Sequence, residues 1–306
     1  MPDPTGRTAP VHLSGLSAFP ITPMDADGRA DLPALRRLVA RLCEAGVDSI
    51  GLLGSTGSYP YLTRQERRRA LEAALDEAGV HVPILVGIGA LRTDEAVRLA
   101  QDARAAGAAA GLLAAVSYTP LTDDEVFEHC AAVARESGLP LCLYDNPSTT
   151  HFRFGPALVG RLSRVPGIVA VKSPGQEREA VAGHLAALRA AVPPCFSLGY
   201  SGDWTVTEAL LAGADAWYSV VAGLFPQVGV AILRAVRAGE AAEARRLDAR
   251  LEPLWALFRE YSSLRVIYAC ASLLDLTQAV PPRPILPLGA EARARVAEVM
   301  QALDLG

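Results

Sequence analysis

Lys172 is the residue whose type and position point most directly to chemistry, because it is the only lysine among the 29 Lys and Arg residues of the chain. It ends the apolar run GIVAVK (167–172), which is typical of a strand buried on both faces. Burial lowers the pKa of an ammonium group and yields the free amine that attacks a ketone. The run therefore indicates a Schiff-base nucleophile. A lysine paired with an acid at a barrel mouth, or simply exposed, is the alternative.

Two further groups could assist such an amine. Tyr144 closes the preceding apolar run, LPLCLY (139–144), and a phenol there can pass protons while a carbinolamine forms and loses water. Ser55 and Thr56 lie between Gly54 and Gly57. Their hydroxyl and N–H groups could hold a carboxylate, since glycine lets the backbone approach closely. A tyrosine that caps the core and a plain turn are the respective alternatives.

The elements that would position these groups repeat about every 30 residues, as an apolar β-prone run, a turn and a helix. Strands are predicted at 11–20, 48–56, 83–89, 109–116, 140–147, 168–173, 195–202 and 216–223. Helices are predicted to begin near Asp31, Thr63, Thr93, Thr122, Phe154, Gly175, Gly202 and Phe225. Eight such units favour an α/β fold, a closed (β/α)8 TIM barrel. An open doubly wound sheet is the alternative, but the G-x-G-x-x-G spacing is missing.

The pattern changes at both ends of the chain. Residues 1–10 are polar and proline-rich and are interpreted as a disordered tail, followed by a catalytic barrel domain over 11–238. Residues 239–306 contain no strand pattern and predict a C-terminal helical domain. We expect three helices there, broken by the proline-rich stretch 281–287.

Catalytic groups of such barrels lie at the carboxyl ends of the strands and in the loops that follow. This rule adds Tyr118 to the catalytic candidates Lys172, Tyr144 and Ser55. The predicted substrate-binding residues are Gly54, Thr56, Gly57, Ser58, Asp145, Asn146, Thr149, His151, Tyr200, Trp204, Ser219 and Val220.

Composition argues against several other classes of protein. The net charge of −4 is spread without acidic or basic blocks, which disfavours nucleic acid or an anionic membrane as a partner. No run approaches the roughly 18 apolar residues that span a bilayer, and the first ten residues lack the apolar centre of a signal peptide. The five scattered cysteines form no C-x-x-C pair, so a cytoplasmic protein with reduced thiols is expected.

The five histidines show no metal-ligand spacing such as H-E-x-x-H, so we predict that no metal is used. No organic cofactor is expected either, because a lysine imine is itself an electron sink.

The motifs GSTGS (54–58), SYTP (117–120), LYDNPS (143–148), GIVAVK (167–172) and SGD (201–203) resemble those of the dihydrodipicolinate synthase / N-acetylneuraminate lyase family of pyruvate-dependent class I aldolases. The similarity extends from about Gly15 to Leu288. It implies that Lys172 forms the Schiff base, that Tyr144 shuttles protons through Ser55, and that Thr56 helps to hold the keto acid's carboxylate. It also implies that Tyr118 reaches a neighbouring subunit's site in a homo-oligomer, a dimer or commonly a homotetramer.

The chain departs from the family pattern at two places. Synthases of the lysine pathway have S-R-T-G where residues 148–151 are Ser-Thr-Thr-His, so Thr149 replaces an arginine that grips the second substrate's carboxylate. A hydroxyl cannot replace such a bidentate clamp. Ser58 stands where the family usually has glutamate. The natural acceptor is therefore expected to differ from aspartate semialdehyde.

These observations predict a lyase or aldolase that joins or separates pyruvate, or another 2-oxo acid, and an aldehyde-type acceptor. Dehydration or aldol cleavage of a 2-keto-3-deoxy sugar acid through the same imine is the alternative reaction. A keto-acid-binding homologue without turnover is the alternative from another class.

Overall fold

The computed structural model describes residues 13–305, so the predicted tail over 1–10 lies outside the described residues. Eight parallel strands form a closed barrel in sequence order. Their bounds are β1 (Gly15–Ala18), β2 (Ser49–Leu52), β3 (Ile84–Gly87), β4 (Ala110–Ala114), β5 (Leu141–Tyr144), β6 (Ile168–Ser173), β7 (Ser197–Tyr200) and β8 (Ala216–Ser219). The predicted (β/α)8 TIM barrel is confirmed.

Nine helices in the described chain accompany the barrel: α1 (Leu32–Ala45), α2 (Arg64–Ala78), α3 (Thr93–Ala106), α4 (Asp123–Ser137), α5 (Pro147–Thr150), α6 (Pro156–Leu162), α7 (Val181–Ala191), α8 (Val206–Leu211) and α9 (Pro226–Arg237). Thr63 and Thr122 cap α2 and α4 by accepting hydrogen bonds from backbone N–H groups. The reciprocal capping box forms only at Thr122, because Glu66 accepts from the N–H of Ala30 instead.

The C-terminal segment forms α10 (Ala241–Arg250), α11 (Glu252–Tyr261), α12 (Ser263–Leu273) and α13 (Ala290–Leu303), which is four helices where the sequence analysis predicted three. Single residues make the extra breaks. Pro253, which lacks an N–H group, lies in the first turn of α11 and separates it from α10. Ser262, with a φ of 73°, separates α11 from α12. Among residues 13–305 we find no helix that is both long and apolar enough to cross a membrane.

Strand alternation determines which side chains face the barrel interior. An inner cluster contains Leu112, Cys142, Tyr144 and Tyr218, whereas a larger cluster packs between the strands and the helices. Tyr144 is paired with Lys172 in the parallel register of β5 and β6. Residues paired in this way project to the same face, so both side chains enter the barrel at its carboxyl end.

Gly87 provides a test of the packing around the barrel. A Cβ atom at this position would lie 1.8 Å from the carbonyl oxygen of Leu53, whose backbone has a φ of 53°. Gly87→Ala is expected to destabilise the protein by about 3 kcal/mol, because backbone rather than a flexible side chain must move. Gly183→Ala is the control, since its Cβ would meet nothing within 4 Å and alanine favours the helix. Equal denaturant midpoints for these two variants would contradict this account.

Candidate active site

An open cavity of about 830 Å³ lies at the carboxyl end of the barrel. The loops after β2, β4, β5, β6, β7 and β8 contribute to its lining, and so do the first residues of α12. Eight of the predicted site residues line it: Ser55, Thr56, Tyr144, Asn146, Thr149, Lys172, Trp204 and Val220. This is the end of the barrel at which parallel strands and their loops assemble catalytic groups.

Lys172 lies in this cavity with only 3% of its surface exposed. Its Nζ atom is 3.9 Å from the ring centroid of Phe19 and 4.4 Å from that of Tyr144. Burial lowers the pKa of the ammonium group to about 7, and the negative charge of Asp203 opposes this shift only in part. The lysine is therefore buried beneath aromatic faces, and much of it is a free amine near neutral pH.

Tyr144 belongs to a chain of hydrogen bonds beside the lysine. Its hydroxyl lies 2.8 Å from Ser55 Oγ and accepts a hydrogen bond from Asn146 Nδ2 at 3.0 Å. Ser148 Oγ donates in turn to Asn146 Oδ1 at 2.9 Å. Because the amide nitrogen can only donate, the phenolic proton remains available to Ser55 or to a substrate. Burial raises the pKa of Tyr144 to about 12, which keeps the phenol protonated.

Asp203 and Phe19 are two residues of the site that the sequence analysis did not assign. The Asp203 carboxylate accepts hydrogen bonds from Trp217 Nε1 at 2.9 Å and from the N–H of Val221 at 2.7 Å. It therefore joins the loop after β7 to that after β8. Its position within SGD (201–203) was a signal for this role. Phe19 gave no signal beyond its place at the end of the first apolar run.

Four predicted substrate residues lie behind the cavity lining, and three of them make hydrogen bonds to other parts of the protein. Asp145 accepts from the N–H of Phe154, and burial raises its pKa to about 6. The Tyr200 hydroxyl lies 2.7 Å from Nδ1 of His184. Ser219 Oγ accepts from the N–H of Ala222, and Ser58 is fully buried with a φ of 54°. These side chains support the loops around the cavity.

The remaining predicted residues lie outside the lining for other reasons. Gly54 and Gly57 are needed where neighbours approach closely. A Cβ at Gly54 would lie 2.6 Å from the Phe19 ring, and a Cβ at Gly57 would lie 2.8 Å from the backbone of Leu53. His151 is exposed in a left-handed conformation at the end of α5. Tyr118 is 97% exposed on the loop after β4.

The described residues offer no clustered ligands for a metal ion. Among residues 13–305, no group of three or more His, Cys, Asp and Glu side chains is arranged to hold a metal ion. The groups that converge on the cavity floor are an amine, a phenol and hydroxyls, and this set is suited to covalent chemistry on a carbonyl compound.

Known proteins with similar sequences and folds indicate the family of this chain. The model of the dihydrodipicolinate synthetase family matches residues 12–303. A 4-hydroxy-tetrahydrodipicolinate synthase of Methylococcus capsulatus is 36% identical, with 92% of this chain and 95% of the relative covered. A crystal structure of dihydrodipicolinate synthase from Agrobacterium tumefaciens superposes with a TM-score of 0.93 at 57% identity, covering 95% of this chain and 98% of that one. The chain therefore belongs to the dihydrodipicolinate synthetase family.

Proposed function

We propose that this chain is a Schiff-base-forming lyase or aldolase in which Lys172 forms an imine with pyruvate or another 2-oxo acid. The observation that carries the proposal is a buried amine, with its pKa lowered to about 7, in an open cavity beside the hydrogen bond between Tyr144 and Ser55. Membership of a family whose relatives are named as synthases supports carbon–carbon chemistry.

In the proposed mechanism the Lys172 amine attacks C2 of the keto acid and gives a carbinolamine. Tyr144 supplies the proton with which the carbinolamine oxygen leaves as water, and Ser55 and Asn146 keep the phenol oriented. When the C3–C4 bond breaks, the resulting iminium accepts its electron pair and becomes an enamine. When that bond forms, the iminium first loses a C3 proton to the Tyr144 phenolate, and the enamine then attacks the acceptor carbonyl carbon, whose oxygen is protonated. Thr56 and the neighbouring N–H groups hold the substrate carboxylate.

The acceptor in this proposal differs from that of the lysine-pathway synthases. Thr149 lines the cavity, but its hydroxyl donates to the carbonyl of Asn146 at 3.2 Å and is used within the loop. Dehydration of a 2-keto-3-deoxy sugar acid is the second candidate, because hydroxyls of Ser148, Ser201 and Thr205 also line the cavity. Each of them donates within the protein, so its oxygen can accept a hydrogen bond from a substrate hydroxyl but cannot grip a carboxylate. Such groups match a hydroxylated substrate, and the same imine would expel its C4 hydroxyl as water.

The proposal includes a homo-oligomer. Tyr118 is a large aromatic residue that is 97% exposed in the single chain. We propose that it enters the cavity of a neighbouring subunit in a dimer or tetramer, where a second phenol would serve the proton relay.

Borohydride reduction in the presence of pyruvate tests the function directly. A pyruvyl adduct is expected on the peptide that contains Lys172, and peptide mass measurement separates it from any adduct at the N-terminal amine. With no other lysine in the sequence, the assignment is unambiguous. Absence of an adduct with pyruvate and with 2-keto-3-deoxy sugar acids would contradict the Schiff-base mechanism. Binding of pyruvate without an adduct would instead indicate a keto-acid-binding protein.

The pH dependence of this trapping is a second readout. Burial lowers the pKa of Lys172 to about 7, so the free amine decreases about tenfold for each pH unit below that value. The initial rate of adduct formation is expected to rise with pH up to about 7 and then to level off. A rate that continues to rise until about pH 10 would show an ordinary exposed lysine.

A further inference from the structure

The C-terminal helices contribute one edge of the catalytic cavity. The break between α11 and α12 brings Ser262, Ser263, Leu264 and Arg265 into the cavity lining. Ser262 has a φ of 73° and a ψ of 132°, a backbone conformation that is unfavourable for a residue other than glycine. This conformation ends α11 and starts α12 in a new direction, and the first turn of α12 carries Arg265 to the cavity.

Arg265 is, within the described chain, the only arginine that lines this cavity. It is partly buried, and the single hydrogen bond of its guanidinium to residues 13–305 is a long one, 3.4 Å from Nη1 to the carbonyl of Tyr261. Many surface arginines instead pair with carboxylates, as Arg64 does with Asp102. Most of the five donors of the Arg265 guanidinium therefore remain available.

Carboxylates near Arg265 do not neutralise it. Asp203 lines the same cavity but is occupied by Trp217 and Val221. Glu177 also lines it, and it is exposed on the loop after β6 without an ion pair to Arg265. A small neighbouring cavity of about 50 Å³, also bordered by Arg265, has no carboxylate among its described lining residues and contains the cationic Arg293. Of the two cavities, only the catalytic one, at about 830 Å³, has room for an organic substrate, so a substrate anion that pairs with Arg265 lies there.

We propose that Arg265 binds an oxyanion at the end of the substrate remote from the carbon that reacts with Lys172. The substrate would then be a 2-oxo acid with a second anionic group, a carboxylate or a phosphate. A guanidinium binds either group through two parallel hydrogen bonds. This inference rests on the proposed function, because it takes the imine at Lys172 as the other point of attachment.

Attachment at two ends would orient the reacting carbons. Ser55 and Thr56 hold the first carboxylate, Lys172 binds C2, and Arg265 holds the far end across a cavity of about 830 Å³. Fixing both ends limits the conformations of the bound chain, which favours the reactive geometry. In the synthases of the family, an arginine in the loop after β5 binds the second anion, and this chain has Thr149 at that position. Here the C-terminal helices would supply the anion-binding residue instead.

The test compares 2-oxo dicarboxylates of five to seven carbons with monocarboxylates of the same length and with one phosphonate analogue. Each acid is trapped with borohydride, and the concentration for half-maximal modification of Lys172 is measured. At least one doubly anionic acid is expected to require an about 10- to 100-fold lower concentration than its monocarboxylate. The relative values for the dicarboxylate and the phosphonate identify the preferred anion.

Variants assign the effect to the guanidinium. Arg265→Gln is expected to remove the preference, and Arg265→Lys to retain only part of it, because an ammonium is a point charge without the planar fork. Arg259→Gln, which removes a surface arginine of the same domain that is ion-paired with Glu252, is the control and should keep the full preference. Circular dichroism verifies the fold of each variant.

Two outcomes would overturn the inference: a wild-type protein that traps pyruvate but shows no preference for a second anion, or an Arg265→Gln variant that keeps the preference. Failure to trap any 2-oxo acid, pyruvate included, would overturn the proposed function as well. This outcome differs from the two above, in which pyruvate or another 2-oxo acid is still trapped.

Discussion

Replacement of Lys172 by methionine is expected to abolish imine formation with every 2-oxo acid and to lower turnover by roughly 10⁴-fold or more. The same substitution is expected to stabilise the fold by a few kcal/mol near neutral pH. Burial lowers the pKa of this lysine from 10.5 to about 7, so the folded chain must either hold a desolvated ammonium or release its proton. Methionine fills a similar volume without this cost.

The sign of the pH dependence follows from the same shift. The unfolded chain binds the proton up to about pH 10.5, whereas the folded chain releases it above about pH 7. The destabilisation by Lys172 is therefore complete below pH 7 and decreases as the pH rises towards 10.5. The gain for Lys172→Met in denaturant unfolding should be larger at pH 7 than at pH 10.

Lys172→Arg is the matched control for this experiment, since it removes the nucleophile but keeps a buried cation. It should lose the adduct and gain no stability. If Lys172→Met were still trapped on the same peptide, or if both variants were equally stabilised, the assignment of the buried amine would be wrong.

Tyr144→Phe is expected to lower kcat by about 10²- to 10⁴-fold, because the phenol supplies the proton with which water leaves the carbinolamine. The rate of borohydride trapping should fall in parallel, while KM changes little because Thr56 still holds the carboxylate. The hydroxyl lost is the one that links Ser55 to Asn146.

Tyr268→Phe is the control for this substitution. It removes another buried tyrosine hydroxyl, one that donates to the carbonyl of Thr22 and lies outside the described lining of the catalytic cavity. It should retain kcat. Similar losses in the two variants would indicate a general packing effect, and a rise in KM without a change in kcat for Tyr144→Phe would assign the phenol to binding alone.

The barrel was predictable because its signals are local. Continuous apolar runs followed by helices occur eight times, and the structure has a strand within each predicted range. The breaks among the C-terminal helices were harder to predict, because Ser262 carries no residue-type signal for a positive φ. Its conformation depends on how α11 and α12 pack, and this packing cannot be predicted from a short segment of sequence.

Alternation along the strands explains part of the difference between predicted and observed site residues. Tyr144, Lys172 and Tyr218 project into the barrel, so the residues next to them project outward. Asp145 and Ser219 are such neighbours, and they were proposed only because they lie at strand ends. If the two-residue alternation of strand side chains had been applied to the predicted site residues, Asp145 and Ser219 would have been excluded. Arg265 could not be found in this way, because helix packing brings it to the cavity from outside the barrel.

The Phe19 ring restricts which substitutions the residues around the active site can accept during evolution. It lies against Lys172, and it also occupies the space that a Cβ at Gly51 or Gly54 would need. Substitutions at these glycines are therefore epistatic with position 19: alanine at Gly51 is intolerable beside phenylalanine but compatible with a smaller side chain there. Substitution of one position at a time would score both glycines as invariant, whereas a library that varies them together with position 19 would reach cavity floors of different shape.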